Sequence, residues 1–188
     1  MITLSEEALI SDFDCGDSDL NDFFNHDALK YKHQMLSRTC FFRHIDNNAI
    51  VCAFSFSASS IKTADLPNNR RKKVKELVPR EKSFKSYPAI LIGRFGVAKA
   101  FSGQGIGSQL MESIMNFCFI NYPDFVRFLL VDAYNNPKVI SFYQKNDFNL
   151  VFSTEEQEKQ SYNQKPDEPL ITRYMFYDMI KWRDKAMQ

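Results

Sequence analysis

The sequence predicts a mixed α/β domain. Two apolar runs, residues 89–97 and 127–133, have the composition of buried strands. Each run is followed by a stretch with the apolar spacing of a helix, and β-rich runs near both ends of the chain indicate hairpins. No repeat and no linker interrupts the 188 residues. We therefore expect one domain, residues 1–188.

The first half of the chain begins with a predicted helix and a predicted hairpin. Asp17 or Ser18 is placed to cap a helix. The apolar residues that follow at helical spacing are Leu20, Phe24, Ala28 and Tyr31. Residues 38–59 hold two β-rich runs around a polar turn at 46–48, which predicts a hairpin. The segment from there to Pro88 is compatible with a helix or a loop.

The second half alternates strands and helices. A strand over 89–97 is followed by a helix over 106–120, and a strand over 127–133 is followed by a short helix. Pro137 lies near the start of that helix, where proline is tolerated. Residues 148–153 and 170–180 are predicted to close the fold as strands, separated by a polar loop over 154–169.

Composition excludes several classes of protein. Hydrophobic residues make up 44% of the chain, and no apolar run approaches the roughly 18 residues that a membrane helix needs. The N-terminal residues lack the pattern of a signal peptide. The four cysteines form no CxxC pair and the three histidines form no metal-site pattern. We expect a cytoplasmic protein with reduced thiols, no bound metal and no membrane attachment.

Charge is distributed unevenly along the chain. The formal net charge is only +1, but residues 1–30 hold eight acidic residues and one lysine. Residues 61–88 hold nine basic residues and three acidic ones. Such a basic block is either a solvated face or a surface for phosphates.

Three of the six glycines lie at 103, 105 and 107, between a predicted strand and a predicted helix. The first N–H groups of a helix lack intrahelical partners, and the helix dipole adds partial positive charge there. Glycines let an anion approach this backbone, so the segment predicts a phosphate site. It is not a P-loop, because no Gly-Lys-Ser/Thr follows, and it lacks the acidic partner of a dinucleotide-binding loop.

This loop and the helix after the second strand together resemble the GNAT superfamily of acyl-CoA-dependent N-acetyltransferases. The loop reads Ser102-Gly103-Gln104-Gly105-Ile106-Gly107, with Ser102 where the family usually has Gln or Arg. The later helix supplies Asn136, Val139 and Tyr143 at the family's spacing. The resemblance implies a central, mixed, mostly antiparallel twisted sheet flanked by helices. It also implies that acetyl-CoA binds in the splay between two parallel central strands.

The resemblance assigns roles to individual residues. Tyr143 would be the general acid, because a phenol is protonated at pH 7 and can protonate the thiolate leaving group. Gly96, between two cofactor-binding residues, would mark a bulge in the strand. The residues that would contact acetyl-CoA are Phe95, Val97, Ser102, Gly103, Gln104, Gly105, Ile106, Gly107, Ser108 and Asn136.

The general base is left open. The strand over 89–97 carries no carboxylate or histidine. Asp132, near the end of the second strand, and water are the two alternatives. A missing base mildly favours an α-amino acceptor, because that group titrates at about 7.7–8.0 whereas lysine titrates at about 10.4.

The first half of the chain resembles the GNAT toxins of toxin–antitoxin systems, which acetylate the α-amino group of aminoacyl-tRNA. The resemblance rests on Phe13-Asp14-Cys15-Gly16, Leu20-Asn21, Ser37-Arg38-Thr39 and Gly93-Arg94. It implies tRNA as acceptor and an antitoxin as partner. The basic residues that would contact tRNA phosphates are Arg38, Arg70, Arg71, Lys72, Lys73 and Arg94. Two alternatives stay open: an enzyme for a small amine, peptide or protein N-terminus, and a non-catalytic domain that binds acyl-CoA or a partner. A homodimer also stays open.

Overall fold

A computed structural model describes residues 2–5, 10, 12–64, 66, 68–76 and 85–187. The strands are β1 (Ile2–Thr3), β2 (Arg38–Arg43), β3 (Ile50–Lys62), β4 (Ser86–Val97), β5 (Phe128–Tyr134), β6 (Asn149–Leu150) and β7 (Thr172–Asp178). The α-helices are α1 (Ser18–Asp22), α2 (Ala28–His33), α3 (Asn68–Glu76), α4 (Ile106–Asn121), α5 (Pro137–Lys145), α6 (Glu155–Ser161) and α7 (Met179–Ala186). A π-helical segment, Phe23–Asp27, joins α1 to α2, and a 3-10 turn, Lys99–Phe101, follows β4.

Within the described residues, the strands form one seven-stranded sheet in the order β1-β2-β3-β4-β5-β7-β6. The pairs β1–β2, β2–β3, β5–β7 and β6–β7 are antiparallel. The predicted hairpin is confirmed, since Thr39 on β2 lies opposite Ser55 on β3. The fold is therefore the mixed α/β arrangement with a mostly antiparallel sheet that the sequence predicts.

The chain divides into two compact units. The first unit consists of the chain up to Ala58 together with Leu91–Ile114, and the second consists of Ser59–Ile90 together with residues from Met115 onwards. The glycine-rich loop belongs to the first unit, whereas Asn136 and Tyr143 belong to the second.

Aromatic residues of the N-terminal helices form the core of the first unit. Phe13 meets Phe24 edge to face, with ring centroids 5.3 Å apart, and Phe23 meets Tyr31 in the same way at 5.1 Å. This geometry is favoured because the positive ring edge points at the negative ring face. The other buried members of the cluster include Leu4, Ile10, Ala28, Phe41, Ala53 and Ala98. The helical spacing read from the sequence therefore corresponds to a packed face.

The core of the second unit is built on the β5–β7 pair. Four consecutive residues of β5, Phe128–Val131, are at most 1% exposed. Two of the ion pairs described in this unit are largely shielded from solvent: Arg127 Nε lies 2.9 Å from an Asp178 oxygen, and Arg173 Nε lies 2.7 Å from Glu158 Oε2. Both partners of the second pair are buried, at 8% and 1% exposure.

Three predictions in the C-terminal part of the chain are wrong in detail. The predicted polar loop over 154–169 contains α6, which Thr154 caps by accepting a hydrogen bond from Gln157 N. The predicted strand over 170–180 ends at Asp178, whose side chain caps α7. The strand expected over 148–153 is reduced to β6. In each helix, a capping side chain at the first turn outweighs a composition that suggests loop or strand.

Candidate active site

The glycine-rich loop has a backbone that only glycine adopts easily. Gly103 and Gly105 have φ values of +76° and +75°, in the left-handed region, and a Cβ at either position would meet no atom within 4 Å. Glycine is therefore favoured by the backbone, and the space around the Cβ positions of both residues is open. The Gln104 side chain donates from Nε2 to Ala100 O at 3.1 Å, which ties the loop to the 3-10 turn before it.

The loop leads directly into α4, a helix of 16 residues. Its first turn contains no acidic residue, so no carboxylate repels an anion there. The unpaired N–H groups at the start of such a helix favour negative charge. Ser102 lies just before the loop in extended conformation, and Gly107 and Ser108 lie in the first turn of α4. The described backbone therefore has the features of an anion-binding helix start.

The end of β4 precedes this loop in the first unit. Phe95 and Val97 are half-buried, and Gly96 between them is buried. A Cβ on Gly96 would lie 3.1 Å from Cys15 Sγ and 3.3 Å from Phe13 Cε1. Close packing of the Phe13–Cys15 segment against the strand therefore explains this glycine. The bulge expected there stays a prediction.

Asn136 and Tyr143 lie on α5 in the second unit. Asn136 caps this helix, since its Oδ1 accepts from Val139 N at 2.9 Å. Tyr143 is 8% exposed, and its ring meets Phe142 and Phe148 edge to face, with centroids 5.1 and 5.4 Å away. The cap fixes the start of the helix and the aromatic contacts fix the orientation of the tyrosine ring.

Asp132 projects from β5 directly opposite Tyr174 of β7. Burial raises the pKa of the Asp132 carboxyl. Burial together with the nearby Asp132 carboxylate raises the pKa of Tyr174 to about 12, opposed by a hydrogen bond with Ser59. Sequence reasoning missed Tyr174 as a neighbour of Asp132, because only the β5–β7 register brings the two together.

The basic residues predicted to contact an acceptor differ in their surroundings. Arg71 donates from its guanidinium to the carbonyls of Thr63, Ala64 and Leu66. Its hydrogen-bond donors are therefore engaged by the backbone of the second unit. Lys72 is exposed and lies 4.0 Å from Glu76. The side chains of Arg70 and Lys73 lie outside the described part of the structure.

The other two predicted basic residues belong to the first unit. Arg38 lies 6.0 Å from the centre of the Phe56 ring. Arg94 lies 3.7 Å over the ring of Phe23 and 5.5 Å from that of Tyr31. This stacking places the guanidinium of Arg94 against the N-terminal helices.

Within the described ranges, no group of three or more histidine, cysteine, aspartate or glutamate side chains could hold a metal ion. Of the helices in the described part of the chain, none is long and apolar enough to cross a membrane.

The chain resembles solved structures over nearly its whole length. It aligns with AtaT complexed with acetyl-methionyl-tRNAfMet at a TM-score of 0.72 and 20% identity, covering 99% of this chain and 97% of that one. AtaTR bound with acetyl-CoA aligns at 0.70 and 20% identity, covering 100% and 96%. A tyrosine-to-phenylalanine mutant of KacT aligns at 0.69 and 20% identity, covering 93% and 90%. At this identity the likeness concerns the fold.

A family model adds a comparison at the level of sequence. Residues 73–150 match the acetyltransferase (GNAT) domain. This range contains β4, the glycine-rich loop, α4, β5 and α5. Residues 73–150 are therefore similar in sequence to this domain, and the chain shares the fold of the AtaT and KacT structures.

Proposed function

We propose that the protein, acting as one domain over residues 1–188, transfers the acetyl group of acetyl-CoA to a primary amine. The observation that carries this proposal is the pair of left-handed glycines at the start of α4, a long helix whose first turn is free of acidic residues. Such a backbone fits a pyrophosphate. The family match covers both this loop and the helix of Tyr143, and one solved neighbour is bound with acetyl-CoA.

Acetyl-CoA would supply an activated acyl group as a thioester. The proposed binding residues are the backbone of Phe95 and Val97, the amides of Gly103–Ser108, and Asn136. Tyr143 holds the proton that the departing sulfur takes up, and its buried ring keeps the hydroxyl in one orientation. Ser102, which lies directly before Gly103, completes the proposed set of cofactor-binding residues.

Asp132 is our candidate for the group that removes a proton from the acceptor amine. Its raised pKa brings the carboxylate closer to the working pH, which strengthens it as a base. Water is the alternative base. The pH profile described in the Discussion distinguishes the two.

We infer that the acceptor is the α-amino group of an aminoacyl-tRNA. Support comes from the AtaT neighbour, which was solved with acetyl-methionyl-tRNAfMet, and from the exposed Lys72 on the basic helix α3. The AtaT structures also include one bound to the C-terminus of the antitoxin AtaR. An antitoxin is therefore the partner that we propose for this protein.

The test of the reaction is direct. The protein is incubated with acetyl-CoA and charged tRNA, and separately with acetyl-CoA and a panel of small amines and peptides. We expect mass spectrometry to show an acetylated aminoacyl end. CoA release with small amines alone would refute the tRNA acceptor and retain the acetyltransferase. Binding of CoA without transfer to any amine would leave the non-catalytic alternative.

Contact between α3 and tRNA can be tested by its dependence on salt. Lys72→Glu should lower tRNA affinity and flatten the slope of log K against log[salt] by about one unit per lost phosphate contact. Lys165→Glu is the matched control, because Lys165 is exposed in the same unit and carries the same charge. Equal slopes for the two variants would mean that the basic helix is only a solvated surface.

A further inference from the structure

The segment Phe13–Gly16 has no part in the function proposed above. The sequence singles it out only through its resemblance to the toxin branch. In the structure it packs against the end of β4 and the 3-10 turn Lys99–Phe101, and all of these residues belong to the first unit. The segment therefore contacts the two elements that precede the glycine-rich loop in the chain.

Asp14 holds Lys99 by both its side chain and its backbone. Its Oδ2 lies 2.8 Å from Lys99 Nζ, and its carbonyl oxygen accepts from Lys99 N at 2.8 Å. Its Oδ1 accepts from Asn21 Nδ2 at 2.8 Å and from Gly16 N at 2.9 Å. These bonds, the one from Lys99 above all, lower the pKa of Asp14 to about 2. Because the pKa is depressed, the carboxylate keeps its charge further into the acidic range than an ordinary aspartate does.

The two residues after Asp14, Cys15 and Gly16, pack closely against β4 and Lys99 respectively. Gly16 has a φ of +91°, and a Cβ there would lie 3.2 Å from Lys99 Cε. Cys15 donates from its backbone N to Asn21 Oδ1 at 2.9 Å and packs against Gly96. The Asp14 and Lys99 side chains remain 50% and 64% exposed, so burial of apolar surface does not explain why the pair is made.

The 3-10 turn transmits this contact to the glycine-rich loop. Phe101 N donates to Ala98 O at 2.9 Å, and Ser102 N donates to Lys99 O at 3.1 Å. Gln104 Nε2 then reaches back to Ala100 O. Lys99 is therefore bonded to Asp14 on one side and to the first residue of the loop on the other. A 3-10 turn this short has weak hydrogen bonds of its own, so its position depends on what holds it.

We propose that Asp14 and Lys99 are positioning residues for the pyrophosphate of acetyl-CoA. The ion pair and the backbone bond between them, which we term the Asp14 clamp, fix the turn that precedes Gly103. The loop amides are thereby preorganised before the ligand arrives, which lowers the cost of binding. This inference rests on the proposed function, because it takes CoA as the ligand of the loop.

The clamp and a direct contact between Lys99 and the phosphates make opposite predictions. If Lys99 acts through Asp14, Asp14→Asn and Lys99→Met should each raise the Kd for CoA about tenfold, a loss on the scale of one charge-assisted hydrogen bond. The double variant should lose no more than either single one. Lys99→Arg keeps the charge and should bind CoA nearly as the wild type does.

If Lys99 instead contacts the ligand itself, Asp14→Asn would release the lysine from its ion pair. CoA affinity should then be unchanged or higher.

Two measurements test the clamp on the full chain: calorimetric titration with CoA, and hydrogen exchange of residues 102–108 without ligand. We expect Asp14→Asn to weaken CoA binding and to speed exchange across the loop, with the melting temperature close to that of the control. The control is Asp27→Asn, which removes another exposed aspartate–lysine pair of the same unit, with Lys30 at 2.8 Å.

The outcomes separate the clamp from the proposed function. If the wild type does not bind CoA, the proposed function fails, and the exchange data still decide whether Asp14 orders the loop. If the wild type binds CoA but Asp14→Asn matches the Asp27→Asn control in both measurements, the clamp is wrong.

Discussion

At the scale of single residues, Tyr143 and Asp132 carry the chemistry that we assign to the second unit. Tyr143 is enclosed by Phe142 and Phe148, so its ring is held whether or not a hydroxyl is present. Asp132 lies on a strand beside a phenol and has a raised pKa. A substitution can therefore remove the hydroxyl of Tyr143 or the negative charge of Asp132 while the packing of the side chain is kept.

Tyr143→Phe should lower kcat by about 10²-fold or more, the usual contribution of a general acid. The Kd for CoA and the melting temperature should change little, because the ring contacts survive. Release of the CoA thiol is measured with the acceptor that the transfer assay identifies. Tyr177→Phe serves as the control, since it removes another buried phenol of the same unit. An unchanged kcat for Tyr143→Phe would exclude this tyrosine as the acid.

Asp132→Asn should abolish an acidic limb in the pH profile of kcat/KM. The carboxylate is the active form of a base, so activity rises as the pH rises through the pKa of Asp132. Because burial raises that pKa, the limb should lie above the ordinary value of about 3.9. Asp124→Asn, an exposed aspartate of the same unit, should keep the limb. A profile that is identical in wild type and Asp132→Asn would favour water as the base.

At the scale of elements, capping side chains decide where helices begin and therefore where active side chains point. Asn136 caps α5, the helix that carries Tyr143, and Pro137 occupies its first turn. Asn136 therefore has a structural role in addition to the cofactor contact that we propose.

Asn136→Ala and Asn136→Asp separate these two roles. Asn136→Ala should lower the free energy of unfolding by about 1 kcal/mol, the usual cost of a lost cap. Asn136→Asp keeps an oxygen acceptor for Val139 N, so its stability should equal that of the wild type. Chemical denaturation and CoA titration are measured on both variants. If Asn136→Asp binds CoA as tightly as the wild type, the residue acts as a cap alone.

At the scale of the whole molecule, buried polar pairs link elements that are far apart in the sequence. Glu158 on α6 accepts from Arg173 Nε and also from Tyr174 N, which attaches this helix to β7. Burial raises the pKa of Glu158 despite these bonds. The carboxylate is therefore tolerated only because its partners are present.

Arg173→Met should lower the free energy of unfolding at pH 7 by about 3–5 kcal/mol, because it leaves the Glu158 charge buried without its cation. Adding Glu158→Gln should recover much of the loss. A raised pKa in the folded state favours folding at low pH, so Arg173→Met should gain stability as the pH falls towards about 4.3, the ordinary value for glutamate. Denaturation across pH checks this, and a loss independent of pH would contradict it.

Local features of the fold follow from the sequence. The hairpin, the helix after the glycine-rich loop and the buried strand β5 are confirmed, because helix periodicity, turn residues and apolar runs act over a few neighbouring positions. The helices α6 and α7 were missed because their caps, Thr154 and Asp178, stand within polar or strand-like composition. The single domain and the site residues remain predictions.

The sequence by itself determined the class of fold and the loop that fits a phosphate, because glycines at 103 and 105 permit a backbone that other residues resist. Only the tertiary structure decided what surrounds that loop. Asp14 reaches Lys99, and Asp132 faces Tyr174, through chain topology and strand register. Such contacts join residues that are distant along the chain, and the pattern of neighbouring residues in one sequence does not encode them.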